Sequence, residues 1–249
     1  MSKSKEVIAL MIGRGGSSLK DKNILPVLGY PLLQWAASAA IRSKYIGRYY
    51  ISSDCNKILH AAEEVGYSPI LRPDYLSTDT AQSCDAVYHA LELIEAEGKA
   101  NIIVVQHANV GTITEKIIDE CVETLITDPE ISAIVPCHEC SEYHPFRAKK
   151  VGSGGNLEPY INNNGEVSAN RQDLPKALFF DHSVWVLRAD SVKNMGKGQP
   201  PWPCMGNKIK PYVTEGCFDV HTFDDIKKTE DWIAAKRIVP PERLRQNQG

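Results

Sequence analysis

Val7-Ile8-Ala9-Leu10-Met11-Ile12-Gly13-Arg14-Gly15-Gly16-Ser17-Ser18-Leu19-Lys20-Asp21-Lys22-Asn23 is the segment from which the fold of this chain follows. Its apolar half, residues 7–12, predicts a buried strand, and a glycine-rich, basic loop comes next. Glycines let the backbone turn tightly and direct several N–H groups at one anion, while Arg14, Lys20 and Lys22 add positive charge. The segment therefore predicts a phosphate-binding loop, with a solvated surface turn as the alternative.

The spacing of this loop excludes two common nucleotide-binding motifs. It does not match G-x-x-x-x-G-K-[ST], which excludes a P-loop, and Ser18 stands where G-x-G-x-x-G requires its third glycine. Support for a nucleotide site must therefore come from other parts of the chain.

The composition is that of an ordinary globular protein. Of the 249 residues, 43% are hydrophobic and 24% are charged, and the formal net charge is -3. Such a length predicts one domain over residues 1–249 with a full core. The charge provides no global basic field, so we expect no nucleic acid and no membrane surface as partners. Because no apolar run reaches the length of a membrane span, we expect a cytoplasmic protein.

The seven cysteines are an odd number in a chain that does not need disulfides for stability. They predict a reducing compartment and free, largely buried thiols. Cys137-x-x-Cys140, with His138 and His144 nearby, is the one spacing typical of a metal site. Structural zinc needs four ligands and no second pair of this type follows, so free thiols are the favoured interpretation.

Strand and helix patterns alternate along most of the chain. Strands are predicted at 7–12, 48–53, 68–73, 101–106, 133–137, 183–188 and 217–221, and helices at 31–43, 57–65, 80–97, 114–126 and 224–237. This alternation predicts an α/β fold with a mostly parallel sheet flanked by helices. Residues 141–176 break the pattern with glycine- and asparagine-rich pieces, which predicts hairpins in an inserted segment for dimerisation or for a lid.

Several further segments, in this order, carry a family resemblance. They are Arg14-Gly15-Gly16-Ser17, Lys22-Asn23-Ile24, Leu28-Gly29-Tyr30-Pro31-Leu32-Leu33, Ile51-Ser52-Ser53-Asp54, Leu71-Arg72-Pro73, Ser77-Thr78-Asp79-Thr80-Ala81, His144-Pro145-Phe146-Arg147, Arg171-Gln172-Asp173-Leu174-Pro175-Lys176 and Phe218-Asp219-Val220. Together they resemble the cytidylyltransferases that make CMP-activated acidic sugars, such as the CMP-sialic acid, CMP-legionaminic acid and CMP-Kdo synthetases. The pieces span about nine-tenths of the chain.

The resemblance implies a Rossmann-like nucleotidyltransferase that joins CMP from CTP to an acidic, sialic acid-like nonulosonic sugar and releases pyrophosphate. It implies Mg²⁺ or Mn²⁺ as cofactor and a homodimer. The residues agree with this chemistry, because transfer at phosphorus needs positioned charge, a divalent ion and an acceptor held in line with the leaving group.

The resemblance also implies roles for individual residues on the nucleotide side. Arg14 and Lys22 would stabilise the triphosphate, and Asn23 would shape the loop. The loop positions that would hold the phosphates are Gly13, Gly15, Gly16 and Ser17. Arg72 and Ser83 fall in the region of the cytosine and ribose pocket. The loop is one residue shorter than the family pattern, so Lys20 is expected to supply the charge of a lysine that Ser18 replaces.

On the acceptor side the resemblance implies that Gln106, Arg171 and Gln172 face the acceptor. Asp219 matches the first aspartate of a metal-binding Asp-x-Asp pair. From the residues alone other interpretations stay open: Arg72 and Arg171 as surface ion-pair residues, Gln106 as a strand-end cap and Asp219 as a helix N-cap.

The chain departs from the family pattern on this same side. His107 and Asn109 stand in a segment that usually reads Pro-Thr-Ser-Pro, His182 follows Asp181 in place of Asn-Gly, and His221 replaces the second metal aspartate. Mg²⁺ prefers oxygen ligands, whereas Mn²⁺ tolerates imidazole better. The three histidines are predicted to surround an acceptor anion, or to be independent strand-end residues. A small phosphonate acceptor, another nucleoside triphosphate and a catalytically inactive nucleotide-binding relative stay open as alternatives.

Overall fold

A computed structural model of the protein describes residues 3–16, 19–140, 142–162 and 167–242. The strands of the main sheet are β1 (Ser4–Ile12), β4 (Ile46–Ser53), β5 (Ser68–Leu71), β6 (Ile102–His107), β7 (Ala133–Glu139), β10 (Leu178–Phe180), β11 (Val184–Arg188) and β12 (Ile209–Val213). Two small sheets hold β2 (Pro26–Val27) with β3 (Tyr30–Pro31), and β8 (Lys149–Val151) with β9 (Leu157–Pro159). The helices are α1 (Leu32–Arg42), α2 (Asn56–Glu63), α3 (Ser83–Glu97), α4 (Glu115–Thr127), α5 (Ala189–Lys193) and α6 (Phe223–Lys236).

The main sheet is mostly parallel, as the alternating sequence pattern predicts. β5, β4, β1 and β6 are neighbours in that order and all run parallel. β11 pairs antiparallel with both β6 and β7, and β12 pairs parallel with β7 at the edge. Because Val184 of β11 pairs with Gln106, β11 begins level with the carboxyl ends of β1 and β6. The candidate site lies at these strand ends.

Helices cover both faces of the sheet, so its central strands are buried on both sides. Side chains of α1, α2 and α4 pack on one face, where Ala36 and Val104 belong to the same core cluster. Side chains of α3 and α5 pack on the other face, with Leu91 and Val105 in a second cluster. This doubly covered arrangement explains the unbroken apolar runs of β1 and β6. Among the described residues, no helix is both long and apolar enough to cross a membrane.

Two parts of the predicted strand pattern differ from the structure. The segment 217–221, predicted as a strand, is irregular, because its backbone N–H groups donate to loop atoms. Phe218 N donates to Thr112 Oγ1 at 2.9 Å and Val220 N donates to Asn109 O at 3.1 Å. The strands β10 and β12 lie outside the predicted set. β12 contains Pro211, which is tolerated there because this strand is at the edge of the sheet.

The inserted segment contains the predicted hairpin. Lys149 pairs with Pro159 and Val151 with Leu157 in a two-stranded sheet that is separate from the main one. Its apolar side chains are unusually exposed: Tyr143 and Leu157 are each 72% accessible to solvent. The predicted role of residues 141–176 in dimerisation or as a lid stays a prediction, and residues 141 and 163–166 lie outside the described ranges.

The cysteines correct the expectation that all seven thiols are free. Cys84, in the first turn of α3, forms a disulfide with Cys204. Their Cα atoms lie 5.4 Å apart, which is an ordinary separation for such a bond. The other five, Cys55, Cys121, Cys137, Cys140 and Cys217, are free. The Cys137 thiol is buried and its Sγ donates to Val135 O at 3.2 Å, which is the contact of a core thiol.

Candidate active site

A cleft of about 770 Å³ lies at the edge where β1 and β6 end. Its lining includes Gly13, Arg14, Gly16, Lys22 and Asn23 from the loop after β1, Arg72 directly after β5, and Ser83 at the start of α3. His107, Asn109 and His221 also line it. The cleft therefore brings together residues from both halves of the predicted site. Ser17, which was predicted with the loop, lies outside the described residues.

The loop after β1 is held close to the neighbouring strand ends. Asn23 is only 4% exposed, and its Nδ2 donates to Arg14 O at 3.1 Å. Gly15 N donates to Asp54 Oδ1 at 2.9 Å, at the end of β4. A Cβ atom at Gly13 would lie 2.7 Å from the Cβ of Ala108, so only glycine fits there. Asn23 therefore shapes the loop from inside, and Gly13 lets the loop approach the segment after β6.

Arg14 and Lys22 carry positive charge into the cleft. Burial lowers the pKa of Lys22, Asp219 raises it, and Arg14 lowers it. The net effect is a lowered pKa of Lys22, with the Asp219 carboxylate and the Arg14 guanidinium both near enough to influence it. Lys20, in contrast, is exposed and is not part of the cleft lining. The loop thus presents two cations to the cleft, as a triphosphate site requires.

Arg72, directly after β5, is a buried cation that lines the cleft. It is 6% exposed, its Nε donates to Ser52 Oγ at 3.1 Å, and its Nη2 donates to Ser52 O at 2.6 Å. Burial lowers its pKa to about 10, Asp54 opposes that change and Arg14 adds to it. Arg72 is therefore charged at neutral pH and fixed by β4. This geometry replaces the alternative interpretation of Arg72 as a surface ion-pair residue.

Asp219 is held by two neighbours that line the cleft. The Asn109 side-chain amide donates to Asp219 Oδ1, and His221 Nε2 lies 3.1 Å from Asp219 Oδ2. The cap of α6 fixes the backbone next to it, because Asp225 Oδ2 accepts from His221 N at 3.1 Å and from Thr222 N at 3.0 Å. Thr222, rather than Asp219, is the N-cap residue of this helix.

The two histidines at the ends of β6 and β10 belong to one aromatic cluster. The ring centroid of His107 lies 4.6 Å from that of Trp185 and 5.9 Å from that of His182, and His182 lies 5.0 Å from Trp202. Burial, and to a smaller extent His182, lowers the pKa of His107 to about 3. Burial also lowers the pKa of His182, against Asp219 and Asp181. Both imidazoles are therefore neutral at pH 7.

Four predicted acceptor residues lie away from the cleft lining: Gln106, Arg171, Gln172 and His182, of which His182 packs behind the cleft in the aromatic cluster. Gln106 is fully buried on the α1 face of the sheet, where its Oε1 accepts from Tyr67 Oη at 2.6 Å and its Nε2 donates to Ala36 O at 2.6 Å. Arg171 and Gln172 form an exposed 3₁₀ turn in the inserted segment.

Some residues that line the cleft had no predicted role. Thr78, Asp79 and Gln82 precede α3 and line the cleft. Asp79 Oδ1 lies 2.7 Å from Arg14 Nη1. Thr78 and Asp79 lie within the segment Ser77–Ala81 that carried the family resemblance, so the motif was a sequence signal that could have found them. Trp202 also had no predicted role, but it does not line the cleft. It packs against His182, which is distant in sequence, and no sequence motif indicates that contact.

The donor set at Asp219 fits a hard divalent cation in part. Among the described residues there is no group of three or more histidine, cysteine, aspartate or glutamate side chains that could hold a metal ion by itself. One carboxylate with substrate phosphates and waters is, however, a common way to bind Mg²⁺. Asp219 supplies such an oxygen, whereas the imidazole of His221 is a poor ligand for Mg²⁺.

Comparison with known proteins gives a consistent result. A family model described as "Cytidylyltransferase" matches residues 8–228. The chain is 30% identical over 194 residues to N-acylneuraminate cytidylyltransferase A of Danio rerio, which covers 77% of this chain and 43% of that protein. It is 27% identical over 173 residues to pseudaminic acid cytidylyltransferase of Campylobacter jejuni, covering 68% of this chain and 73% of that protein.

Solved structures share the fold at low identity. A structure of CMP:2-keto-3-deoxy-manno-octonic acid synthetase complexed with CTP superposes with a TM-score of 0.67 and 15% identity, over 93% of this chain and 99% of the other. A 4-diphosphocytidyl-2C-methyl-D-erythritol synthase from Anaerococcus prevotii gives a TM-score of 0.62 and 11% identity, over 92% and 96% of the two chains. The chain spans less than half the length of the first curated relatives that it matches, 43%, 21% and 36%.

Proposed function

The chain belongs to the cytidylyltransferase family, and on that basis we propose that it transfers CMP from CTP to the hydroxyl of a nonulosonic sugar acid, with release of pyrophosphate. The acceptor oxygen forms a bond to the α-phosphorus, the bond from that phosphorus to the bridging oxygen of pyrophosphate breaks, and the hydroxyl proton leaves. The relatives that are named for N-acylneuraminate and pseudaminic acid support this acceptor class.

The observation that carries the proposal is that Arg14 and Lys22 both line the cleft, with the Asp219 carboxylate near enough to raise the pKa of Lys22. Two cations suit the triphosphate, and a nearby carboxylate suits a divalent ion. Pre-positioned charge of this kind is the main contribution that a protein makes to transfer at phosphorus. Gly13, Gly16 and Asn23 are proposed to hold the phosphates, and Arg72 with Ser83 to hold the nucleoside.

We propose Asp219 as the protein ligand of Mg²⁺. When bound, the ion would neutralise phosphate charge and polarise the α-phosphoryl group. The Asn109 side-chain amide orients the Asp219 carboxylate by donating to its Oδ1, and His221 Nε2 lies next to the other oxygen, Oδ2. His221 is proposed as a neighbour of the acceptor rather than as a ligand, because Mg²⁺ favours oxygen.

The neutral histidines favour a hydroxyl acceptor over a phosphonate. His107 and His182 supply no positive charge for a phosphonate dianion at neutral pH, because burial lowers the pKa of His107 to about 3 and also lowers the pKa of His182. A neutral imidazole suits a hydroxyl group, to which it offers one donor and one acceptor. The substitution of histidines on this side is therefore proposed to shape the acceptor pocket within the sugar-acid class.

A second copy of this chain is the proposed partner of the inserted hairpin. Tyr143, Val151, Leu157 and Tyr160 are each at least 66% exposed, and together they form an apolar surface that is unusual for a monomer. Light scattering tests this proposal. A monomeric mass, unchanged in a Leu157→Lys variant, would contradict it.

Pyrophosphate release tests the proposed reaction. Purified protein with Mg²⁺ and CTP is assayed with N-acetylneuraminate, pseudaminate, 3-deoxy-manno-octulosonate and a small phosphonate, and the other nucleoside triphosphates compete with CTP. We expect release with a sugar acid and CTP only. Lys22→Met is expected to lower kcat/KM about a hundredfold, whereas Lys44→Met, at an exposed lysine far from the cleft, leaves it unchanged. No release with any acceptor, together with no thermal shift by CTP, would overturn the proposal.

A further inference from the structure

A buried carboxylate lies directly before His182. The Asp181 side chain is only 2% exposed, its Oδ1 lies 2.5 Å from His138 Nδ1, and its Oδ2 accepts from Thr214 Oγ1. Burying a carboxylate is unfavourable unless hydrogen bonds replace its water, so this arrangement needs both donors. They come from β7 and from the segment after β12, so Asp181 joins three parts of the chain.

The backbone of Asp181 is fixed as well. Asp181 N donates to Pro136 O at 2.9 Å, and Cys217 Sγ donates to Asp181 O. Cys217 lies two residues before Asp219. The same aspartate therefore orders both the connection between β10 and β11 and the segment that leads to the proposed metal ligand.

His182 adopts a backbone conformation that a side chain disfavours. Its φ is 47°, in the left-handed region where glycine is the usual residue. A non-glycine residue persists there only when its surroundings fix it, and such residues cluster at functional sites. The fixed Asp181 supplies that constraint on the N-terminal side of His182.

The result of this constraint is the position of the His182 ring. It lies 5.9 Å from the ring of His107, which lines the cleft, and it is close enough to Asp219 for that carboxylate to raise its pKa. Trp202 packs against its other side at 5.0 Å between ring centroids. His182 therefore packs against His107, which lines the cleft, and lies near the carboxylate of Asp219.

We infer that Asp181, with His138 and Thr214, is a positioning residue that fixes His182 beside His107, the histidine that lines the cleft. The inference rests on the proposed function for its substrate, and it assigns three further residues to acceptor binding. Neither these three nor His182 line the cleft, so their effect on the acceptor is transmitted through His182 to the His107 ring that it packs against.

A double-mutant cycle tests this inference. Thr214→Val removes the hydroxyl that donates to Asp181, Thr214→Ser keeps it, and His182→Asn removes the imidazole. We expect Thr214→Val to raise the KM for the sugar acid about tenfold and to leave the KM for CTP unchanged. Thr214→Ser, which keeps the hydroxyl, is expected to retain the wild-type KM for the sugar acid. Because Thr214 acts through His182, Thr214→Val is expected to add little in the His182→Asn background. Thr124→Val, in α4, is the control that changes neither KM.

Additive effects in the cycle, equal changes in both KM values, or no change with Thr214→Val would overturn the inference. A second readout separates it from the proposed reaction. In ¹H–¹³C spectra of the histidine rings, with the His182 signal assigned by its loss in His182→Asn, Thr214→Val is expected to move that signal and Thr124→Val is not. If wild-type protein releases no pyrophosphate, the proposed reaction fails. A His182 signal that does not move in Thr214→Val would instead contradict the positioning role.

Discussion

Arg14 and Asp79 form an ion pair at the cleft, with 2.7 Å between Nη1 and Oδ1. The pair joins the loop after β1 to the segment before α3. The side chain of Asp79 is 93% exposed, and exposed ion pairs contribute little to stability. A triphosphate that enters the cleft must therefore compete with a weakly held carboxylate for the guanidinium.

Asp79→Asn is expected to strengthen CTP binding. The change removes a negative charge near the phosphates and frees Arg14, which corresponds to about a twofold to fivefold decrease in the Kd for CTP. Isothermal titration at low salt measures the effect, and about 0.5 M NaCl should reduce it. Glu130→Gln, which breaks an exposed ion pair with Lys208 away from the cleft, is the control. Weaker CTP binding by Asp79→Asn would show that the carboxylate itself contributes to binding.

Arg72→Lys is expected to impair both stability and CTP binding. Lysine cannot reproduce the two hydrogen bonds that the guanidinium donates to Ser52, and the loss of charged hydrogen bonds in a buried site costs about 1.5–3 kcal/mol. Urea unfolding measures the first effect and CTP titration the second. Arg42→Lys, at a half-exposed ion pair with Glu115, should change neither. Unchanged stability of Arg72→Lys would contradict a structural contribution from these bonds.

His107 is expected to make stability depend on pH below about 6.5. In the folded protein burial lowers its pKa to about 3, whereas the unfolded chain binds a proton near the ordinary value. Between these values the unfolded state holds more protons, so the free energy of unfolding falls as the pH falls, by up to about 1.4 kcal/mol per pH unit. Urea unfolding from about pH 5 to 7 measures this slope.

The slope should become shallower in His107→Gln, whatever that substitution does to stability at neutral pH. His60→Gln, at a side chain that is 67% exposed, is the control and should keep the wild-type slope. Identical slopes in wild-type protein and His107→Gln would show that His107 is not buried in its neutral form.

The disulfide between Cys84 and Cys204 is expected to stabilise the fold by about 2–4 kcal/mol, because it closes a long loop in the unfolded chain. Cys204→Ala should lower the free energy of unfolding by this amount, whereas Cys140→Ala, at a free and half-buried thiol, should change it little. Alkylation of denatured, unreduced protein followed by mass spectrometry should modify five cysteines. Modification of all seven would show that the bond is absent.

That Arg14, Lys22 and Arg72 come together could be predicted from the sequence, because these residues lie in short, ordered motifs. Arg14 and Lys22 belong to the segment that follows β1, and the structure brings both to the cleft together with Arg72. Their role in nucleotide binding stays a prediction. The side of the sheet that Gln106 and His107 each face could not be predicted in the same way. Adjacent strand residues face opposite sides of a sheet, and only tertiary packing determined that His107 faces the cleft while Gln106 contacts Tyr67.

The features that sequence reasoning missed depend on contacts between distant segments. Cys84 and Cys204 are 120 residues apart, and no local pattern pairs them. In the sequence Asp181 has the appearance of an ordinary loop residue, and its hydrogen bonds with His138 and Thr214 come from two other segments of the chain. The irregular path of residues 217–221 has the same cause, because Thr112 and Asn109 take the backbone N–H groups that a strand would have used.

The residues that build the two proposed sides of the cleft come from successive parts of the chain. All the described nucleotide-side residues precede the end of α3, whereas the acceptor side is built from the end of β6, the start of β11 and the segment before α6. The two halves are thus encoded in successive stretches of the gene. Substitutions after Glu97 therefore change the proposed acceptor side, including the turn at Asp181 and His182, without replacing any residue of the proposed nucleotide side.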